Sequence, residues 1–214
     1  MKGYFLSENS IEDIINDLQI DSWKAINNLS IDDFENLFSN GVLSSSDKIL
    51  VFDILSLFNS LELNFNRIIG LDSPSCGGLG VILNEKNIRQ NSTYQALFET
   101  DESSKFKEIL QTYLEVRNLI AHSSIKKHND TDSMVFFSAN KTDWSNSVKR
   151  RKKESHKFSN RIDSAVTLSE MGENQANFAV LCLPFLEYLR RLLIPIDLYF
   201  ANYAGEVTGQ DLSE

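Results

Sequence analysis

The sequence predicts an all-α fold, a helical bundle with a small β-hairpin insertion around residues 134–166. Three observations carry that reading. Residues 47–69 and 103–121 repeat apolar side chains at helical spacing, and a third apolar segment closes the chain out to about Tyr203. Between the second and third of these the sequence turns polar and punctuated over 130–166.

Taken in order, residues 8–42 predict short helices. Ser10 with Asp13, and Ser30 with Asp33, put a capping residue and an acid in a first turn, and Gly41 supplies a stop. Ser44, Ser45, Ser46 and Asp47 offer caps for the long helix 47–69. Its apolar residues, Ile49 through Ile69, leave almost no polar face, so it is expected to be buried on most sides, with Gly70 ending it. Residues 71–92, with Pro74, Gly77, Gly78 and Gly80, read as a loop. The glycine turn at Cys76–Gly80 lacks the Lys-Ser/Thr pair and the strand-to-helix setting of a phosphate cradle. Met134–Phe137 and Ala165-Val166 are candidate strands of a loose hairpin. Thr167 with Glu170 fits a capping box, from which the last helix is expected to run to about Tyr203, kinked at Pro184 and Pro195. The expected organisation is an N-terminal helical segment, 1–45, followed by a helical domain, 46–214, with a polar and basic insertion at about 126–166.

Composition narrows the function classes. A hydrophobic content of 42% supports a real core, and a net charge of −9 argues against indiscriminate coating of nucleic acid. The charge is uneven: Lys141 to Arg161 carries +6 and the remainder −15. Cys76 and Cys182 form no metal-like spacing, and a reducing cytoplasm is the simplest home. The N-terminus lacks the apolar run of a signal peptide. The longest apolar run, Phe178 to Leu186, is far shorter than the roughly 20 residues of a membrane span, so no membrane partner is expected.

The helix of 103–121 carries the functional argument. On a wheel of about 100° per residue centred on Phe106, Ile109, Leu110, Tyr113, Leu114, Val116, Ile120 and Ala121 fall within about 80°. Arg117 falls at about 20°, inside the apolar stripe. A guanidinium there must be paired or must look into a cleft or an interface, because an unpaired buried charge is costly. Asn118 and His122, four apart, share the adjacent polar face. Arg117 and His122 stand about 140° apart on an ideal helix. A loosened helix end, the long Arg stem, or two copies sharing one site would each reconcile them.

The sequence Arg117-Asn118-Leu119-Ile120-Ala121-His122, at the end of an amphipathic helix, resembles the motif of the HEPN family: Arg, an adjacent polar residue that is often Asn, and a His after four to six residues. The likeness spans roughly 46–203. The bare spacing recurs at Arg150 and Arg151 before His156, but there without the Asn, the Ala or the apolar stripe. Ser124 stands where many HEPN toxins carry Tyr, a departure from the toxin–antitoxin subgroup.

The resemblance implies a HEPN-like bundle of long antiparallel helices and a metal-independent endoribonuclease without cofactor. It would act as a homodimer with a composite active site, in phage defence or stress growth arrest. Arg117, Asn118 and His122 would be catalytic, and RNA the partner. An antitoxin or regulatory protein is a further candidate partner. Lys149, Arg150, Arg151, Lys152 and Lys153 are the candidate RNA-binding arm, against the plainer reading of a solvated loop. In the structural alternative, Arg117 pairs with Glu62 or Glu115 and His122 caps the helix C-terminus. The functional alternatives are a non-catalytic HEPN-like module binding RNA or protein, and a helical dimerisation subunit.

Overall fold

The computed structural model describes residues 40–128, 133–138, 166–167 and 177–209. The described chain is mostly helical, and contacts divide the whole chain into two compact units: Ser46–His122 with Leu189–Glu214, and Met1–Ser45 with Ser123–Tyr188. The helices predicted before residue 40 lie outside the described residues. At the edge of that region Asn40 is helical and Gly41 is not, in accord with the expected stop.

The first unit is built on three long helices: α1 (Ser45–Ile69), α5 (Asp101–His122) and the greater part of α6 (Leu183–Thr208). Gly70 ends α1 at φ +97°, a left-handed conformation that glycine adopts without a Cβ penalty. Thr100 caps α5 reciprocally. Its Oγ1 accepts from the Ser103 amide at 3.0 Å, and Ser103 Oγ accepts from the Thr100 amide at 3.1 Å, so two of the helix's free donors are satisfied.

Leu50, Ile54, Phe58, Leu61 and Phe65 form one buried stripe of α1. The ring of Phe65 meets those of Phe98 and Phe200 edge-on, at 5.7 and 4.6 Å, the favoured arrangement for aromatic pairs. The expectation that α1 is buried on most sides fails. Ile49, Phe52 and Leu63 are each more than half exposed, at 57%, 68% and 54%. A single stripe at i, i+4, i+8 spacing is all that this core takes from α1, and composition alone does not say which apolar residues belong to it.

Asp53 on α1 meets Arg190 at 3.1 Å, and Asn64 meets Asp197 at 3.2 Å. The contacts advance along both helices in the same sense, so α1 and α6 run parallel. Among the described residues α6 is the third long helix, and where successive helices are antiparallel the third runs in the direction of the first.

Residues 71–92, expected to be a loop, instead form a turn and short helices: α2 (Leu79–Ile82), α3 (Glu85–Gln90) and the start of α4 (Ser92–Ala96). Asn84 and Asn91 build them. Each uses its side-chain oxygen as an N-cap, accepting two backbone amides of the turn that follows.

In the second unit, β1 (Ser124–His128), β2 (Ser133–Ser138), β3 (Val166–Thr167) and β4 (Asn177–Cys182) form an antiparallel sheet in the order β1-β2-β4-β3. The two predicted strands are present, at 133–138 and 166–167, but they are not a hairpin, because β4 lies between them. The closing helix does not start at Thr167, which belongs to β3. The run Phe178–Leu186 is split, its first half pairing with β2 and only Leu183 onward being helical. A short apolar run fits either state, and here the ladder offered by buried Met134, Val135 and Phe136 decides it. Pro184 is thereby the second residue of α6, where a missing N–H costs nothing, and needs no kink. Pro195 lies inside the helix. The Lys127 amide on β1 donates to the Gly41 carbonyl at 3.0 Å. Among the described residues no helix is long and apolar enough to cross a membrane.

Candidate active site on α5

The apolar stripe of α5 is realised in its greater part, though Ala121, expected within it, is exposed. Phe106, Leu110, Tyr113, Val116 and Ile120 are buried along one side. Arg117 interrupts this stripe one turn after Tyr113 and is half-buried. Its Nη1 donates to Asn118 Oδ1 at 3.3 Å, while its Nε is buried without a hydrogen-bond partner. Leu119, on the far side of the wheel, is also buried, so α5 is covered on more than one face at this level.

Asn118 and His122 are exposed and lie one turn apart on the same face. α5 stays helical through His122 and stops there. The first of the three ways to join Arg117 with His122, a helix loosened before the His, is therefore excluded. The two positions are separated by about 7.5 Å of rise and about 140° of rotation. The long Arg stem or a second copy remains to bring them to one point. Ser123, the next residue, has a buried Oγ without a hydrogen-bond partner.

Glu62, one of the two carboxylates considered as a partner for Arg117, is committed elsewhere: its Oε2 accepts the Leu79 amide at 2.9 Å. Asn66 grips Gly77 from both sides, its Oδ1 accepting the Gly77 amide and its Nδ2 donating to the Gly77 carbonyl, each at 3.0 Å. The Cys76–Gly80 turn thus spends these two amides on α1, which agrees with its reading as structure and not as a phosphate cradle. The side chain of Glu115 lies outside the described residues, as do Lys149, Arg150, Arg151, Lys152 and Lys153 and the rival His156. Among the described residues no group of three or more His, Cys, Asp or Glu side chains is placed to hold a metal ion.

A feature absent from the sequence reading lies beside α5. An open cavity of about 330 Å³ is lined by Pro74, Ser75, Val81, Asn87, Gln90 and Asn91, with Tyr94. The signal that could have found it is the run of amides at 84, 87, 90 and 91 within the residues 71–92 that read as a loop. Its walls are fixed: Asn91 Nδ2 donates to Ser75 Oγ at 2.8 Å, the Tyr94 hydroxyl donates to the Ser75 carbonyl, and Asn87 Nδ2 donates to the Val81 carbonyl at 2.9 Å. The cavity helices are tied to α5. Gln111 Nε2 donates to the Leu83 carbonyl at 2.7 Å, and a Cβ built on Gly80 would lie 3.8 Å from Leu114 Cδ2. Leu114 is one turn before Asn118.

The chain matches no protein-family model, no curated protein and no solved structure.

Proposed function

We propose that the protein is a metal-independent endoribonuclease of HEPN type, with Arg117, Asn118 and His122 as its catalytic residues. The observation that carries the reading is Arg117: a guanidinium set into an apolar stripe with a buried, unsatisfied Nε, beside an exposed Asn and one turn and a half before an exposed His. Such a group is costly to keep unless a partner arrives, and a phosphodiester is the anion that its paired N–H donors fit best.

RNA supplies the nucleophile. The 2′-hydroxyl attacks the adjacent phosphorus, the P–O5′ bond breaks, and the products are a 2′,3′-cyclic phosphate and a free 5′-hydroxyl. One imidazole takes the 2′-hydroxyl proton and another gives a proton to the departing 5′-oxygen. Two copies of His122 in a homodimer divide these roles, since imidazole titrates near neutrality. Arg117 holds the crowded phosphate and stabilises the charge that builds on it. Asn118, held by Arg117 at 3.3 Å, orients this pair against the phosphate. The basic run Lys149–Lys153 adds affinity for the strand without reading it. Cytoplasmic phage defence or growth arrest, restrained by a regulatory partner, is the setting that this activity suggests.

The test is cleavage of single-stranded RNA by purified protein in EDTA, with the product ends identified. His122→Ala is expected to lower the rate by about 10²- to 10⁴-fold. Equal cutting by His122→Ala and wild type removes the assignment. The second reading, a non-catalytic RNA-binding module, is favoured by the position of His122 in the last turn of α5. RNA binding that survives Arg117→Ala and His122→Ala, with no cleavage by either, would support it.

A further inference from the structure

We propose that the amide-lined cavity beside α5 is a base-reading pocket that accepts one unpaired nucleobase of the RNA strand held at Arg117, with adenine the best fit. The proposal rests on the ribonuclease reading for its substrate and on the cavity for its chemistry.

None of the lining residues is charged. Its volume, about 330 Å³, falls at the small end of the range typical of small-molecule pockets. Pro74 and Val81 offer apolar surface to the faces of a planar ring, and Val81 is 49% exposed, so that surface is accessible. The polar rim is more specific. Asn87 spends its Nδ2 on the Val81 carbonyl, which leaves its Oδ1 as an acceptor. Gln90 is exposed and forms no hydrogen bond with a described residue, so both halves of its amide are available. An amide presenting one donor and one acceptor side by side matches N7 and the N6 amino group of adenine, and a second acceptor takes the other N6 proton. Splayed, unpaired bases are the usual object of such reading in RNA.

Part of the wall is braced by its own hydrogen bonds. Asn91 and Tyr94 both hold Ser75, and Asn84 and Asn91 cap the helices that form the wall. A preformed wall lowers the ordering cost of binding. The segment that carries Val81 packs against the helix that carries the motif, through Gln111 and the Leu83 carbonyl. Gly80 lies against Leu114, and Leu114 precedes Arg117 and Asn118 by less than and by one helical turn respectively.

The test digests a random-sequence RNA pool in EDTA and maps base frequency around every cut. In parallel, the side-chain amide NMR signals of the intact protein are followed with adenosine and with uridine as probes. The expected result is adenine enrichment at one fixed offset from the cut, reduced about 5- to 100-fold in Gln90→Ala, the range for losing one bidentate base contact. Cleavage with no base preference, or with a preference that Gln90→Ala leaves intact, overturns the pocket and leaves the ribonuclease reading standing. If wild type cuts no RNA, the nucleoside arm decides. Saturable shifts of the Asn87 and Gln90 amides with adenosine, weaker with uridine, keep the pocket as a nucleobase site. No shift with either overturns it.

Discussion

Two polar intrusions into the same helical unit have been treated in opposite ways. Between α1 and α6, Asn64 is buried to 5% exposure, yet its Nδ2 donates to Asp197 at 3.2 Å and reaches Ser60 at 3.5 Å. Ser60 also hydrogen-bonds Asp197. Every member of that cluster has a partner, and its position fixes how two parallel helices meet. On α5, Arg117 sits in an equally apolar stripe but keeps a buried Nε without a partner, its one side-chain hydrogen bond among the described residues being the Nη1 contact to its neighbour Asn118. Buried polar groups are normally satisfied, and one that is not calls for an explanation. The satisfied cluster explains itself as architecture. Arg117 makes sense as a group held ready for an anion.

Three measurements sharpen that contrast. The largest stability effect belongs to the satisfied cluster: Asn64→Ala removes the donor from a half-buried carboxylate and should cost about 1–3 kcal/mol in denaturant unfolding. A smaller effect comes from Asp197 itself. Burial raises its pKa above the usual carboxylate range, outweighing the hydrogen bonds from Ser60 and Asn64. The folded state therefore holds this proton more tightly than the unfolded chain. Its contribution is fully present below the ordinary carboxylate pKa and is lost as pH rises through the raised folded value. Asp197→Asn should flatten that fall in stability, measured as Tm against pH from 4 to 7, and leave the protein at least as stable at neutral pH. The smallest effect has the opposite sign. The Gln111 hydrogen bond, with Lys107 and Arg89 nearby, holds the exposed Glu85 carboxyl below its usual range. That contribution is present above the ordinary Glu pKa and disappears as pH falls through the lowered value. Gln111→Ala also removes the hydrogen bond to the Leu83 carbonyl, so it should reduce stability at every pH and slightly more at pH 7 than at low pH.

The long helices were legible because their signals are redundant. Caps, periodicity and a terminal glycine agree in α1, and the stripe of α5 reads directly from Phe106 to Ile120. The exceptional place of Arg117 was legible for the same reason: one charge breaking a regular stripe is visible without coordinates. Three things were not. The strand at Asn177–Cys182 hides inside an apolar run that continues into α6, and only its partner β2 distinguishes the two states. The exposure of Phe52 and Ile49 depends on what packs against α1, which periodicity does not specify. The amide cavity comes from three short helices whose Asn caps look, in sequence, like loop residues. The residues that carry the proposed chemistry were thus readable, whereas the surface that would choose a substrate was not.

The central claim is that Arg117 is kept for a ligand and not for the fold, and Arg117→Met tests it most directly. Met keeps the length and apolar stem while removing the guanidinium. Unfolding and RNA cleavage in EDTA would be measured on the same preparation. The account predicts an unchanged or higher Tm together with a loss of cleavage of about 10²- to 10³-fold, as for removal of a transition-state donor. A Tm lowered by several degrees with cleavage intact would contradict it.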